Sequence, residues 1–92
     1  MANNLFITYD LIKTKDYAAV HAAIKTLGNW AKVTESNWYV NSMYSVEEAA
    51  NKVRAAMDSD DKLIVVDAKN NSACWFNLAP AAENQIQNEW NK

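Results

Sequence analysis

The apolar pattern of this chain changes period in a fixed order, and that order restricts the available folds more than any single motif does. Leu5-Phe6-Ile7-Thr8-Tyr9-Asp10 is rich in aromatic and β-branched residues and reads as a strand. Tyr17, Val20, Ile24 and Leu27 then recur at three- and four-residue steps, which is a helical stripe. Asp16 is placed to cap its start, and Gly28 to end it through a left-handed backbone. Two β-prone runs follow, Trp30-Ala31-Lys32-Val33 and Trp38-Tyr39-Val40, joined by the turn-forming Thr34-Glu35-Ser36-Asn37. Ser45-Val46-Glu47-Glu48 is a capping box, and behind it Val46, Ala49, Ala50, Val53 and Met57 share one helical face. Lys62-Leu63-Ile64-Val65-Val66-Asp67 reads as a strand again, and Ala73-Cys74-Trp75-Phe76 as a short fifth one. Pro80 suits the first turn of a terminal helix carrying Ile86 and Trp90 one turn apart.

Strand, helix, strand, strand, helix, strand is the ferredoxin-like split βαβ order, so the expected class is α+β: βαββαβ with an added short C-terminal strand and a helical tail. Right-handed crossovers then predict an antiparallel sheet of order 4-1-3-2. The 92 residues fit one domain over 1-92, with its core at 4-68 and the extension strand and tail at 69-92.

Nine Lys and Arg against eleven Asp and Glu give a net charge of −2. Domains that bind nucleic acid through phosphates usually carry a positive excess, so nonspecific nucleic-acid binding is disfavoured. A basic membrane-surface helix is disfavoured by the same count. No apolar run approaches the ~20 residues that span a bilayer. Met1-Ala2-Asn3-Asn4 has neither the basic start nor the apolar stretch of a signal peptide. The expected compartment is the cytoplasm.

The expected topology gathers carboxylates at one end of the sheet. The first strand runs antiparallel to the fourth, which brings Asp10 near Asp60 and Asp61, with Asp16 and the Glu35-Ser36-Asn37 turn at the same end. Oxygen ligands crowded there suit Mg2+ or Mn2+, and such a metal activates water for phosphodiester cleavage. The competing reading is that these residues cap helices and solvate loops.

Leu5-Phe6-Ile7-Thr8-Tyr9-Asp10-Leu11, the helix to Gly28, and the strand-turn-strand with Glu35-Ser36-Asn37-Trp38-Tyr39-Val40 resemble the CRISPR-associated Cas-two family over roughly residues 4-68. The resemblance implies a ferredoxin-like homodimer in which a short C-terminal strand, here Ala73-Asn77, extends the partner's sheet by edge addition. It also implies that any nuclease action uses Asp10, one from each subunit around a shared metal, with Ser36 in a supporting place. Leu11-Ile12-Lys13-Thr14-Lys15 lacks the arginine the family usually carries there, and Arg54 is the one arginine of the chain. The pattern is therefore more similar to stand-alone Cas-two-like proteins outside CRISPR loci, including small ones of mobile elements and of toxin–antitoxin sets resembling VapD.

Three functional classes follow. The first is a homodimeric binding or adaptor protein linked to mobile elements or defence, which acts on a protein partner or small ligand with catalysis absent or vestigial. The second is a metal-dependent endonuclease with Asp10 as central ligand and Asp60 or Asp61 assisting. The third is an acidic inhibitor that imitates nucleic acid. Trp75, Phe76 and Trp90 are the expected subunit contacts, because large rings are enriched at interfaces. Either Trp38 or Tyr39 belongs to the core, since neighbours in a strand face opposite ways. His21 sits at the border of the first helical stripe, Cys74 reads as a small apolar packer, and no Cys/His set has zinc-ligand spacing.

Overall fold

A computed structural model describes residues 3–11 and 17–89. The expected helix cap Asp16 and the expected contact residue Trp90 lie outside that set. The elements in chain order are β1 (Asn3–Asp10), α1 (Tyr17–Lys25), β2 (Gly28–Thr34), β3 (Asn37–Ser42), α2 (Val46–Arg54), β4 (Lys62–Asp67), β5 (Ser72–Phe76) and α3 (Pro80–Glu89).

The class is α+β, with a five-stranded sheet of order β2-β3-β1-β4-β5 in which every neighbouring pair is antiparallel. The expected order 4-1-3-2 is corrected by the fifth strand. From the β4 side, four strands run β4-β1-β3-β2, and β5 adds outside β4, pairing Leu63 with Phe76 and Asp67 with Ser72. The strand expected to reach a partner's sheet is thus hydrogen-bonded to β4 of its own chain. The reason is local: Lys69-Asn70-Asn71 makes a short turn in which Asn71 takes a positive φ of 52°, a backbone that asparagine tolerates well. Asp67 closes that turn by accepting from the backbone N–H groups of Lys69 at 2.9 Å and Asn70 at 3.2 Å.

Strand alternation decides which side is covered. Leu5, Ile7 and Tyr9 of β1 face the helices, with Trp38 and Val40 of β3 and Leu63 and Val65 of β4. Val20 and Ile24 of α1 and Ala49, Ala50 and Val53 of α2 close this core from above. Small alanines let α2 approach the sheet closely. The capping box is formed as the sequence predicts: Glu48 N–H donates to Ser45 Oγ at 3.1 Å, and Ser45 N–H to Glu48 Oε1 at 3.0 Å. Of the two candidates for the core it is Trp38 that is buried, and Tyr39 looks the other way.

Gly28 does not end α1, which stops at Lys25. It opens β2 opposite Ser42, with a positive φ of 159° that L side chains rarely adopt. A side chain there would run into the backbone carbonyl of Asn41 and sit 3.2 Å from Ser42 Cα. The glycine is therefore needed for close strand approach rather than for a helix cap. β2 is an edge strand with all seven residues exposed and a bulge between Lys32 and Thr34. Among the described residues no helix is long and apolar enough to cross a membrane.

Candidate functional site

Asp10, Asp60 and Asp61 come to the same end of the sheet, with Asp10 paired in register with Lys62. Their side chains diverge. Asp61 is 2% exposed, and its Oδ2 accepts from the backbone N–H of Asp58 at 2.8 Å, which fastens the loop after α2. The amide of Asn77 donates to the carbonyls of Ser59 and Asp61, each at 2.7 Å, and ties β5 to the same loop. Asp60 is exposed on the loop, and Asp10 is exposed at the end of β1. Among the described residues no group of three or more His, Cys, Asp or Glu side chains is placed to hold one metal ion. The sequence pattern shows which chain ends converge, but not that one carboxylate of the three turns inward to satisfy a backbone donor.

The turn that carries Ser36 is held by its backbone. Tyr9 N–H donates to the Ser36 carbonyl at 3.0 Å, and the Tyr9 phenol donates to the Glu35 carbonyl at 2.5 Å. The same phenol oxygen is 2.6 Å from His21 Nε2. A carbonyl oxygen only accepts, so the single phenol proton goes to Glu35 and His21 must donate from Nε2. His21 thus becomes a structural donor that bolts α1 to the β2–β3 turn. Residue spacing gives Tyr9 no such part, although its parity with Leu5 and Ile7 aims it at the helices.

Rings and cations continue from this point across the helix side. His21 and Trp38 lie 4.7 Å apart between ring centroids, and Trp30 and Trp38 5.2 Å. Lys25 Nζ sits 4.7 Å over the Trp30 ring, a cation–π geometry. Lys32 pairs with Glu35 at 2.7 Å. That ammonium, by hydrogen bond and by charge, holds the Glu35 carboxyl below its ordinary range. Trp30 remains 45% exposed.

The opposite side of the sheet carries the second set of side chains. Phe6 neighbours Tyr39 on β3 and Val66 on β4, and Ile64 neighbours Trp75 on β5. The parity that buries Leu5, Trp38 and Leu63 sends these five residues to the face that α1 and α2 leave uncovered. Phe6 is 39% exposed, and its ring lies 5.4 Å from that of Tyr39. Polar groups frame the strip: Tyr39 donates to Asn4 Oδ1 at 2.7 Å, and Thr8 to Asn37 Oδ1 at 3.1 Å. Asp10 has the parity of Phe6 and Thr8 and stands at one end of this face.

The expected contact residues separate by the same rule. Trp75 is on the open face. Phe76 faces the core side, packs against it, and lies under the Arg54 guanidinium at 4.3 Å. Cys74 is half-buried against the core, and burial, with the nearby Glu47 carboxylate adding to it, pushes its thiol up from an ordinary value of 9.0. No protein-family model, curated protein or solved structure matches this chain.

Proposed function

We propose that this chain is a ferredoxin-like, Cas-two-like homodimer that serves as a binding or adaptor module in the cytoplasm, in mobile-element or defence biology. The observation that carries the reading is the open sheet face, where Phe6, Tyr39, Ile64, Val66 and Trp75 form one apolar strip with a polar frame. Half-buried rings of this size gain about 25 cal/mol per Å² on further burial. A contiguous patch of them on a sheet face is the signature of an interaction surface. A second copy supplies the matching strip through a two-fold axis. The chain's acidic balance and single arginine support a protein partner or small ligand over nucleic acid for the assembled dimer.

Sedimentation equilibrium at micromolar concentration tests the homodimer. A species of twice the 10.4 kDa chain mass, returned to monomer by Phe6→Glu, is the expected result. A monomer throughout removes the reading.

One observation favours a second reading, a metal-dependent endonuclease. Asp10 is exposed on the open face, so two copies meeting there bring their Asp10 carboxylates toward the joint. Mg2+- or Mn2+-dependent cutting of labelled RNA or DNA by wild type, lost in Asp10→Ala with the dimer intact, would establish it. Equal cutting by both proteins would dismiss it. Nucleic-acid imitation draws less support, because Asp61 is buried and adds nothing to an acidic surface.

A further inference from the structure

We infer that the cleft at the C-terminal end of α2 is a binding site for a small monocarboxylate, gripped by Arg54 and oriented by Asn51. The cleft, of about 420 Å³, is lined by Asn51, Arg54, Ala55, Met57 and Ser59. Small-molecule sites usually span about 300–1,000 Å³, so its size suits a compact ligand. It belongs to the helix side of the sheet, away from the open face, and needs neither a second copy nor Asp10.

Arg54 is the one arginine of the chain, and its side chain is set for anion recognition. The guanidinium carbon lies 4.3 Å over the Phe76 ring, and that ring is packed against the core, so the group has a fixed support. A ring beneath a guanidinium occupies its face and leaves the N–H donors around its rim. Among the described residues no carboxylate or carbonyl accepts from those donors. The side-chain amide of Asn51, one turn earlier on the same face of α2, is likewise without a partner among them. Lys32, by contrast, already holds Glu35 at 2.7 Å.

The surroundings select the ligand. A planar carboxylate matches two parallel N–H donors of the arginine fork. Asp58 and Asp60 are exposed on the loop that follows α2, and the carbonyl end of the helix dipole lies at the same place. Both oppose a dianion, which favours a single negative charge over phosphate. The Asn51 amide and the Ser59 hydroxyl offer donors and acceptors to an amide or hydroxyl beside the carboxylate. All the lining residues come from one stretch of chain, 51-59, with no strand edge among them along which a peptide could extend its backbone. The ligand is therefore a small molecule rather than the end of another chain.

The test is an NMR titration of the full chain with N-acetylglycine, which carries a carboxylate beside an amide, watching the Arg54 Nε–H and the Asn51 side-chain amide. Neutral N-acetylglycinamide, inorganic phosphate and a short acetylated peptide ending in glycine are titrated in parallel. N-acetylglycine should shift both signals saturably, with a dissociation constant on the order of 1 mM, and the neutral amide should shift neither. Arg54→Lys keeps the charge but loses the fork and should weaken binding about tenfold. Asn51→Ala should weaken it about fivefold, the equivalent of one hydrogen bond. Both positions are exposed, so the variants should keep the wild-type amide pattern. No saturable shift at about ten times that concentration, an equal response to the neutral amide, or undiminished binding by Arg54→Lys overturns the site. Undiminished binding by Asn51→Ala overturns its orienting part. Phosphate that binds more tightly than N-acetylglycine overturns the single-charge assignment, and a peptide that binds more than about tenfold tighter overturns the small-molecule one.

Discussion

Replacing Tyr9 by phenylalanine removes one oxygen atom from a side chain that is 3% exposed, and among the described residues that atom makes two short hydrogen bonds. The ring remains, so packing between β1 and α1 is preserved and the change reports on polar connections alone. The lost contacts are the donation to the Glu35 carbonyl at 2.5 Å and the acceptance from His21 Nε2 at 2.6 Å. An intramolecular hydrogen bond contributes about 1 kcal/mol net, and a buried group left without its partner costs about 1–3 kcal/mol. Trp38 Nε1 also donates to the Glu35 carbonyl, but at 3.4 Å, so this acceptor keeps only a weak partner. His21 is half-buried and regains water in part. The expected loss is therefore about 2–3 kcal/mol, or a fall in Tm of about 8–24 °C for a domain of this size. Urea unfolding followed by tryptophan fluorescence measures it. A loss below about 0.5 kcal/mol, the scale of an ordinary surface substitution, would refute the claim that the Tyr9 phenol bolts helix to turn. The same geometry requires the His21 proton on Nε2, and nitrogen chemical shifts showing a neutral ring protonated only on Nδ1 would refute the donor assignment directly.

Other outcomes follow from the same structure. Gly28→Ala forces β2 away from the Asn41 carbonyl and should cost about 2–4 kcal/mol in chemical denaturation; a change within about 0.5 kcal/mol, no larger than at an ordinary surface position, would mean the strands separate freely. Asp61→Ala removes the carboxylate that accepts from the Asp58 N–H and should cost about 1–3 kcal/mol, while Asp60→Ala and Asp10→Ala should stay within about 0.5 kcal/mol; equal effects at all three would contradict the inward role of Asp61. Cys74, with its thiol pushed up by burial and then by Glu47, should react with iodoacetamide at pH 8 more slowly than free cysteine. Because the folded state holds this thiol proton more tightly, stability should also decline as the pH rises past 9.0, and Cys74→Ser should flatten that decline. The Glu35 carboxyl, held low by Lys32, contributes stability present above its ordinary value of 4.5 and lost as the pH falls through its lower folded value; Lys32→Met should remove that acid-side dependence.

Much of this fold is legible in residue spacing because the signals are local. The α2 stripe and its capping box need only residues within one or two turns, and both appear where the pattern puts them. β1 and β4 alternate strictly in burial, yet Leu5-Phe6-Ile7 and Leu63-Ile64-Val65-Val66 are apolar throughout, so their presence as strands is legible but not which parity faces the helices. What escapes the sequence is whatever depends on a backbone atom far away in the chain. The acceptor for Tyr9 is the main-chain carbonyl of Glu35, which has no residue signature. Gly28 looks like a helix terminator in one dimension and proves to be a strand residue pressed against Asn41. Asp61 looks like its neighbour Asp60 until the loop closes and one of them accepts from the backbone N–H of Asp58. Phe76 and Trp75 are adjacent and equally aromatic, and only the register against β4 assigns one to the core and the other to the open face.

The bulge in β2 bears on the chain's fate at high concentration. A seven-residue outer strand with every side chain exposed is a template for open-ended sheet growth. The register break between Lys32 and Thr34 distorts that template near its end, and Lys32 sets a charge beside the break. Two copies sliding edge to edge would have to match an irregular ladder and desolvate an ammonium already paired with Glu35. Fibrillar association is thus penalised at the longer of the sheet's two margins. The protein can therefore expose an adhesive surface on one side without polymerising along the other.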